Sequence, residues 1–253
     1  MSKAIYQPQG KAREYSLWAC NLYVGCSNDC TYCYCKRGVL GAVMGKPKAT
    51  LKKCFKDEND AFLTFQKELM RYRERIIADG GLFFSFSTDP CLQETIELTM
   101  YCVAFATSAG VPCRILTKCA GWVLAKSNEW EFLRQVRTKV TIGFTLTGCD
   151  EKEPGASTNR ERIAAMRMLS DVGFRTFASV EPIIDFDRAI EMVEKASPWC
   201  DEYRFGLLSG DRSAYDGIDL HQSIVRFIDR VHEIVPEETK LYWKESIRQI
   251  VEK

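Results

Sequence analysis

Short runs rich in β-branched and aromatic residues alternate along the chain with segments whose apolar residues recur every three or four positions. The runs predict strands at about 20–25, 82–88, 113–118, 139–146, 175–181 and 203–209. From the second onward, strand starts lie roughly 30 residues apart, the spacing of βα units that feed a parallel sheet. Between strands, Thr158 and Glu161 form a capping box ahead of a helix whose apolar stripe is Ile163, Met166, Leu169 and Val172. Asp185 or Asp187 caps a helix carrying Phe186, Ile190 and Val193. The last long helix carries Ile224, Ile228, Val231 and Val235. Six strands with six crossovers predict an α/β fold, a partial (β/α)6 barrel of the TIM type; a doubly wound open sheet has the same periodicity. No linker divides the chain, so residues 1–253 read as one domain, with an insertion at about 34–58 and a helical extension from about 218.

The strand at 139–146 has two unlike faces. Val140, Ile142, Phe144 and Leu146 share one; Thr141, Gly143, Thr145 and Thr147 share the other. A parallel strand covered on both sides reads as continuously apolar. Polar residues gathered at the C-terminal end therefore predict a hollow or ligand-bearing interior. Ser85, Ser87 and Thr88 close the second strand in the same way, at the end where α/β folds bind ligands.

With 46% hydrophobic and 27% charged residues, the composition is that of an ordinary soluble protein. The chain has no apolar run of membrane-spanning length and no apolar leader, which predicts a cytoplasmic protein without a membrane partner. The formal net charge of +1 conceals an asymmetry. Lys36, Arg37, Lys46, Lys48, Lys52, Lys53 and Lys56 follow Cys30 without an intervening acid. Gly38, Gly41 and Gly45 predict that this basic segment is a mobile loop, suited to attract a phosphate-bearing substrate such as nucleic acid. The plainer alternative is a solvated loop.

Twelve cysteines are the compositional anomaly. In a reducing compartment, thiols serve as metal ligands, catalytic groups or small core residues more often than as disulfides. Residues 25–35 read GCSNDCTYCYC, placing Cys26, Cys30 and Cys33 at C-x3-C-x2-C spacing directly after the first strand. Three thiolates in one loop suit an iron–sulfur cluster and leave one iron of a four-iron cluster open. A zinc site completed by Cys20 or Cys35 is the alternative, though neither gives the paired C-x2-C spacing of common zinc folds. The scattered Cys54, Cys102, Cys113, Cys119, Cys149 and Cys200 read mostly as core residues. Only two histidines exist, His221 and His232, and no phosphate-binding glycine motif is present.

With Tyr32 as the aromatic, the C-x3-C-x-aromatic-C run resembles the signature of radical S-adenosylmethionine (SAM) enzymes. FSFSTDP (84–90), ILTK (115–118), TLT (145–147), EPGAS (153–157) and SVEPII (179–184), in that order, are similar to the spore photoproduct lyase-like subgroup over roughly residues 15–210. The resemblance implies a partial (β/α)6 barrel of the radical SAM kind and a four-iron four-sulfur cluster on Cys26, Cys30 and Cys33. It implies reductive cleavage of SAM to a 5′-deoxyadenosyl radical that abstracts hydrogen, with flavodoxin or ferredoxin as electron donor. Lys118 is implied as a SAM-binding residue, its ammonium suiting the carboxylate. By their places at the strand ends, Thr145 is read as a hydrogen-bonding group for SAM or a hydroxyl satisfied by backbone, and Glu181 as a ribose ligand or the partner of an adjacent arginine. Tyr32 is expected near the adenine, and Asp89-Pro90 is expected to start a helix as cap and first residue. One departure is evident: the lyase proper carries a hydrogen-donating cysteine where Phe86 stands here, and Cys91 is the candidate substitute. The rival readings are a non-catalytic metal-binding module and a radical SAM enzyme acting on a peptide or small metabolite.

Overall fold

The computed structural model describes residues 4–38, 41–210 and 212–252, so Val39 and Leu40 of the expected insertion lie outside the described residues. Among these residues ten strands form: β1 (Ile5–Tyr6), β2 (Ala19–Cys20), β3 (Tyr23–Val24), β4 (Thr50–Leu51), β5 (Leu82–Phe84), β6 (Cys113–Thr117), β7 (Val140–Thr145), β8 (Arg175–Ile183), β9 (Glu202–Leu207) and β10 (Lys240–Trp243). Eight make one sheet in the order β1-β2-β5-β6-β7-β8-β9-β10. β1 is antiparallel to β2, and every other neighbouring pair is parallel. The described residues thus contain seven parallel strands, one more than the sequence predicts. The additional strand, β10, has four residues, too few for a periodic signal, and it falls within the extension expected to be helical. The first predicted strand is also split. After Cys20 the chain leaves the main sheet, and β3 pairs with β4 instead.

Side-chain alternation sorts the sheet into two faces. Leu82, Ile115, Ile142, Phe144, Val180, Phe205 and Leu207 join one large core, together with the buried apolar residues of the crossover helices. Those helices are α2 (Glu58–Ala78), α3 (Ile96–Ser108), α5 (Asn128–Gln135), α6 (Asn159–Asp171), α7 (Phe186–Ala196) and α8 (Leu220–Ile234). The shorter α1 (Gly41–Met44), α4 (Gly121–Leu124) and α9 (Glu245–Val251) complete the set. The opposite face holds only a small separate cluster of Ala19, Phe83 and Phe177, edged by Tyr6, Tyr15, Phe86 and Leu116. A doubly wound sheet would carry a helix layer on both faces. Here the helices line one face, and the other encloses a mixed interior, giving a partial TIM-type barrel. Among the described residues no helix is long and apolar enough to cross a membrane.

Local chemistry sets the helix starts. Thr158 and Glu161 make the expected capping box, and Asp185 rather than Asp187 caps α7 by accepting from the Arg188 N–H. Two glycines of the basic segment, Gly41 and Gly45, sit in close packing, while Gly38 has open space around it. A Cβ at Gly45 would lie 2.6 Å from the Gly41 carbonyl oxygen and 2.9 Å from Lys36 Cα.

Gly143 on β7 answers a second steric demand. The Phe177 ring lies across it so closely that a Cβ would meet a ring carbon at 2.3 Å, while the Arg114 guanidinium stacks 4.5 Å from the same ring. The interior-facing glycine is therefore a seat for an aromatic ring. Gly143→Ala is expected to destabilise the fold by about 1–3 kcal/mol through overpacking. A urea titration reads this as a lower midpoint at unchanged slope.

Candidate functional site

The cysteine loop leaves β3 through Gly25, whose φ of +85° and close approach to the Lys48 carbonyl (2.3 Å from a Cβ) admit no side chain. The Cys26 N–H then donates to the Lys46 carbonyl at 3.0 Å, strapping the loop to the basic segment. Cys26, Cys30 and Cys33 line a single cavity of about 130 Å³ at the C-terminal end of the barrel strands, with Cys35 in the same wall. The three thiols surround this space without meeting at one point. Among the described residues no three His, Cys, Asp or Glu side chains are placed to hold a single metal ion.

Burial raises the Cys26 thiol to about 12 and raises Cys30 as well. A hydrogen bond from the Cys35 thiol pulls Cys33 down to about 6, against the effect of its burial. Lys118 favours the thiolate at all three. Thiolate is the form that binds metal.

Behind the cysteines, Asp89 is a buried carboxylate with four donors. It accepts from Asn28 Nδ2 at 2.8 Å, Thr117 Oγ1 at 2.6 Å, and the backbone N–H groups of Cys91 at 3.0 Å and Lys118 at 2.7 Å. It joins the cysteine loop to the end of β6. The expected helix cap is not formed: α3 starts at Ile96, with Thr95 at its N-cap position. The hydroxyl of the adjoining Thr88 is buried without a hydrogen-bond partner in the wall of the cysteine cavity.

A second connection runs through two residues that the sequence reading did not select. The carboxylate of Glu153, in the EPGAS segment, accepts from the Tyr32 hydroxyl and pairs with Arg162 at 2.7 Å, both acidic and basic side chains being fully buried. Arg162, on α6, also donates to the carbonyls of Lys118 at 3.2 Å and Thr145 at 2.9 Å, tying together the ends of β6 and β7. Burial and Glu153 push the Tyr32 phenol well up, keeping it a donor. The available sequence signal was a charge at 162 beside the apolar stripe of α6, four residues before Met166.

Lys118 lies in the walls of both this cavity and its neighbour, with Nζ 5.7 Å from the Tyr32 ring centroid. Burial opposes its charge, but Glu153 and Cys30 outweigh that effect and raise its pKa. Among the described residues no carboxylate forms an ion pair with it. Thr145 borders both cavities as well.

The second cavity, about 180 Å³, is walled by Tyr15, Tyr32, Phe86, Ser179, Glu181 and Lys244 among others. Glu181 Oε2 accepts from Tyr15 at 2.5 Å and from the Lys244 ammonium at 2.7 Å. Lys244, 2% exposed, comes from the end of β10, so the strand absent from the sequence reading delivers a charge to the site. Phe86 stacks on Phe83 at 4.5 Å and borders both cavities. Cys91 lines neither of the two; it packs in the main core, where burial drives its thiol well up. The expected substitution of Cys91 for the missing cysteine is therefore not supported by its position.

From the basic segment, Arg37 reaches over to the Ser209 carbonyl at 2.8 Å, and Lys11 donates to Ser209 Oγ at 2.9 Å from the N-terminal side. Lys36 pairs with Asp29. Because Arg162 and Glu153 neutralise each other away from water, Arg162→Met should cost about 3–5 kcal/mol of stability by leaving a buried carboxylate unpaired. Chemical denaturation measures this. Arg162→Lys should recover only part of it, since one ammonium cannot serve three acceptors with a planar fork.

No family model matches the chain, and no curated protein matches it by sequence. Solved structures do match. A cysteine-to-alanine mutant of spore photoproduct lyase has a TM-score of 0.67 at 13% identity, covering 94% of this chain and 80% of that one. A double mutant of the same lyase, with bound AdoMet and dinucleoside spore photoproduct, has a TM-score of 0.66 at 14% identity, covering 94% and 78%. Streptococcus suis SuiB bound to S-adenosylmethionine has a TM-score of 0.52 at 14% identity, covering 74% and 43%. The chain therefore has the fold of spore photoproduct lyase, the partial barrel on which its cysteine spacing resembles the radical SAM pattern.

Proposed function

We propose that this chain, acting as a single domain, is a lyase-like radical SAM enzyme, with Cys26, Cys30 and Cys33 holding a four-iron four-sulfur cluster. The observation that carries the reading is the meeting of three kinds of group around one cavity. Three thiols surround it, the Lys118 ammonium faces it without an ion-pair partner among the described residues, and Thr88 presents a buried hydroxyl with no hydrogen bond. These donors fit the proposed cofactors. Each cysteine of a four-iron cluster binds its own iron, so the sulfurs must enclose a volume, whereas zinc draws its ligands to one point. The group would supply one-electron reductive cleavage of SAM, and thereby hydrogen abstraction from a substrate.

The chain's own residues bind and orient. Lys118 is assigned to the SAM carboxylate, since an ammonium in a desolvated wall is strongly favoured by a carboxylate partner. Thr145 offers a hydroxyl at the junction of the cavities. Glu181 is assigned to a ribose hydroxyl through Oε1, because Oε2 is taken by Tyr15 and Lys244. Tyr32, held by Glu153, forms an aromatic wall for the adenine. Twelve free cysteines suit a reducing cytoplasm, where flavodoxin or ferredoxin would supply the electron.

A nucleic acid or nucleotide is the proposed substrate. Lys46, Lys48, Lys53 and Lys56 are exposed on the segment that borders the cysteine loop, and none has an ion pair among the described residues. Among the structural neighbours, spore photoproduct lyase is complexed with a dinucleoside spore photoproduct.

The central test is anaerobic reconstitution and reduction with SAM, followed by assay for 5′-deoxyadenosine. The product is expected from the loaded protein and not from Cys30→Ala. Its absence from a fully loaded wild-type protein would refute the enzyme reading and favour a metal-binding module. Lys118→Met should weaken SAM binding roughly ten- to a hundredfold, the loss of a hydrogen-bonded charge, as read by equilibrium dialysis. Neutralising Lys46, Lys48 and Lys53 together should weaken single-stranded oligonucleotide binding and flatten its logarithmic salt dependence by about two. Unchanged binding and turnover would point to a peptide or small metabolite.

A further inference from the structure

The outer face of α2 carries apolar residues that the fold leaves in water. The inner face is buried through Ala61, Phe65, Leu69 and Ile76. On the outer face Leu63 is 55% exposed, Met70 56% and Ile77 37%. They recur every seven residues, which returns the side chain to within about 20° on an α-helix and makes a nearly straight seam. The seam is symmetric about Met70: Leu63 lies seven residues before it and Ile77 seven after.

The flanking charges share that symmetry. Exposed Lys67 and Glu74 lie on one side of the seam, three residues before and four after Met70. Neither has an ion-pair partner within 4.0 Å among the described residues. If a second α2 is laid antiparallel on the first, with the two-fold axis at Met70, Lys67 of each copy comes within about one residue rise, 1.5 Å along the axis, of Glu74 of the other. In an antiparallel pair the same flank of each helix meets its own copy, so two such pairs form at once. On the opposite flank Gln66 meets Arg73 in the same register. Arg71, one residue past the axis, stands about 100° round from Met70, and its guanidinium lies over the Tyr72 ring at 5.4 Å, away from the seam.

We propose that the outer face of α2 is a self-association surface whose occupant is the α2 of a second copy, antiparallel and centred on Met70. Leu63 packs there against Ile77 of the other copy, and Met70 against its own counterpart. The 21-residue helix is about 30 Å long and 10 Å wide, so the strip falls short of the roughly 800 Å² per partner of a standard stable interface. Tyr101 of α3, 55% exposed with its ring 6.2 Å from that of Phe62, widens it. The size fits a reversible, concentration-dependent dimer. The surface belongs to the helix layer outside the sheet and is independent of what the barrel cavities bind.

Sedimentation velocity of the full chain from low to high micromolar concentration tests this, with circular dichroism confirming that each variant is folded. The wild type is expected to shift from monomer to dimer with concentration. Lys67→Glu should weaken the dimer about tenfold, because both cross-pairs become repulsive. The double variant Lys67→Glu with Glu74→Lys should restore it, because both pairs return with their signs exchanged. Met70→Arg, which sets two cations together on the axis, should abolish it. A wild type that stays monomeric throughout overturns the proposal. So does a dimer indifferent to these substitutions, or a double variant no stronger than the single one.

Discussion

The pairing of Arg162 with Glu153 is the constraint on which the mouth of the barrel depends. Neither side chain touches water, so each would carry a large desolvation penalty alone, and together they must find enough acceptors and donors to be tolerated. They do so by recruiting the site. Arg162 takes up the carbonyls at the ends of β6 and β7, and Glu153 takes up the Tyr32 hydroxyl. Two strand ends, the EPGAS turn and the cysteine loop are thereby fixed relative to one another by a single electrostatic unit. Asp89 does the equivalent work on the other side with four neutral donors.

This framework shapes the field around the cavity. With Arg162 neutralised by Glu153 and Lys244 by Glu181, Lys118 is, among the described residues, the cation without a salt bridge at the shared wall of the two cavities. An environment that raises its pKa keeps it charged and ready for an anion. Its partly buried position strengthens such an attraction beyond its value in water.

Much of this was legible in the sequence wherever a short-range rule applied. The capping box at Thr158 and the alternation along β7 each depend on residues within a few positions of one another, and each found its structural counterpart; the equally short C-x3-C-x2-C run sets its three cysteines around one cavity. The features that were missed are long-range. Asp89-Pro90 has the local form of a helix start, but the carboxylate is claimed by Asn28 and by Thr117 and Lys118 of the next strand end, partners that only the folded chain brings near. Lys244 has no sequence context that distinguishes it from a surface lysine. Its burial follows from β10, whose four residues are recognisable as a strand only once β9 is there to pair with them. The glycines at 41 and 45 are ambiguous in the same way: a residue that permits mobility also permits close packing, and local sequence does not separate the two.

Lys244 also bears on how the molecule comes into being. The cysteine loop and the first barrel strands are made early, yet one wall of the second cavity, with the partner of Glu181, is supplied by a residue more than two hundred positions later. A growing chain emerging from the ribosome carries its thiols and the acidic side chain of Glu181 well before the ammonium that will neutralise it. The wall of this pocket is thus closed by a residue 63 positions beyond Glu181, and it is complete only once β10 has paired with β9.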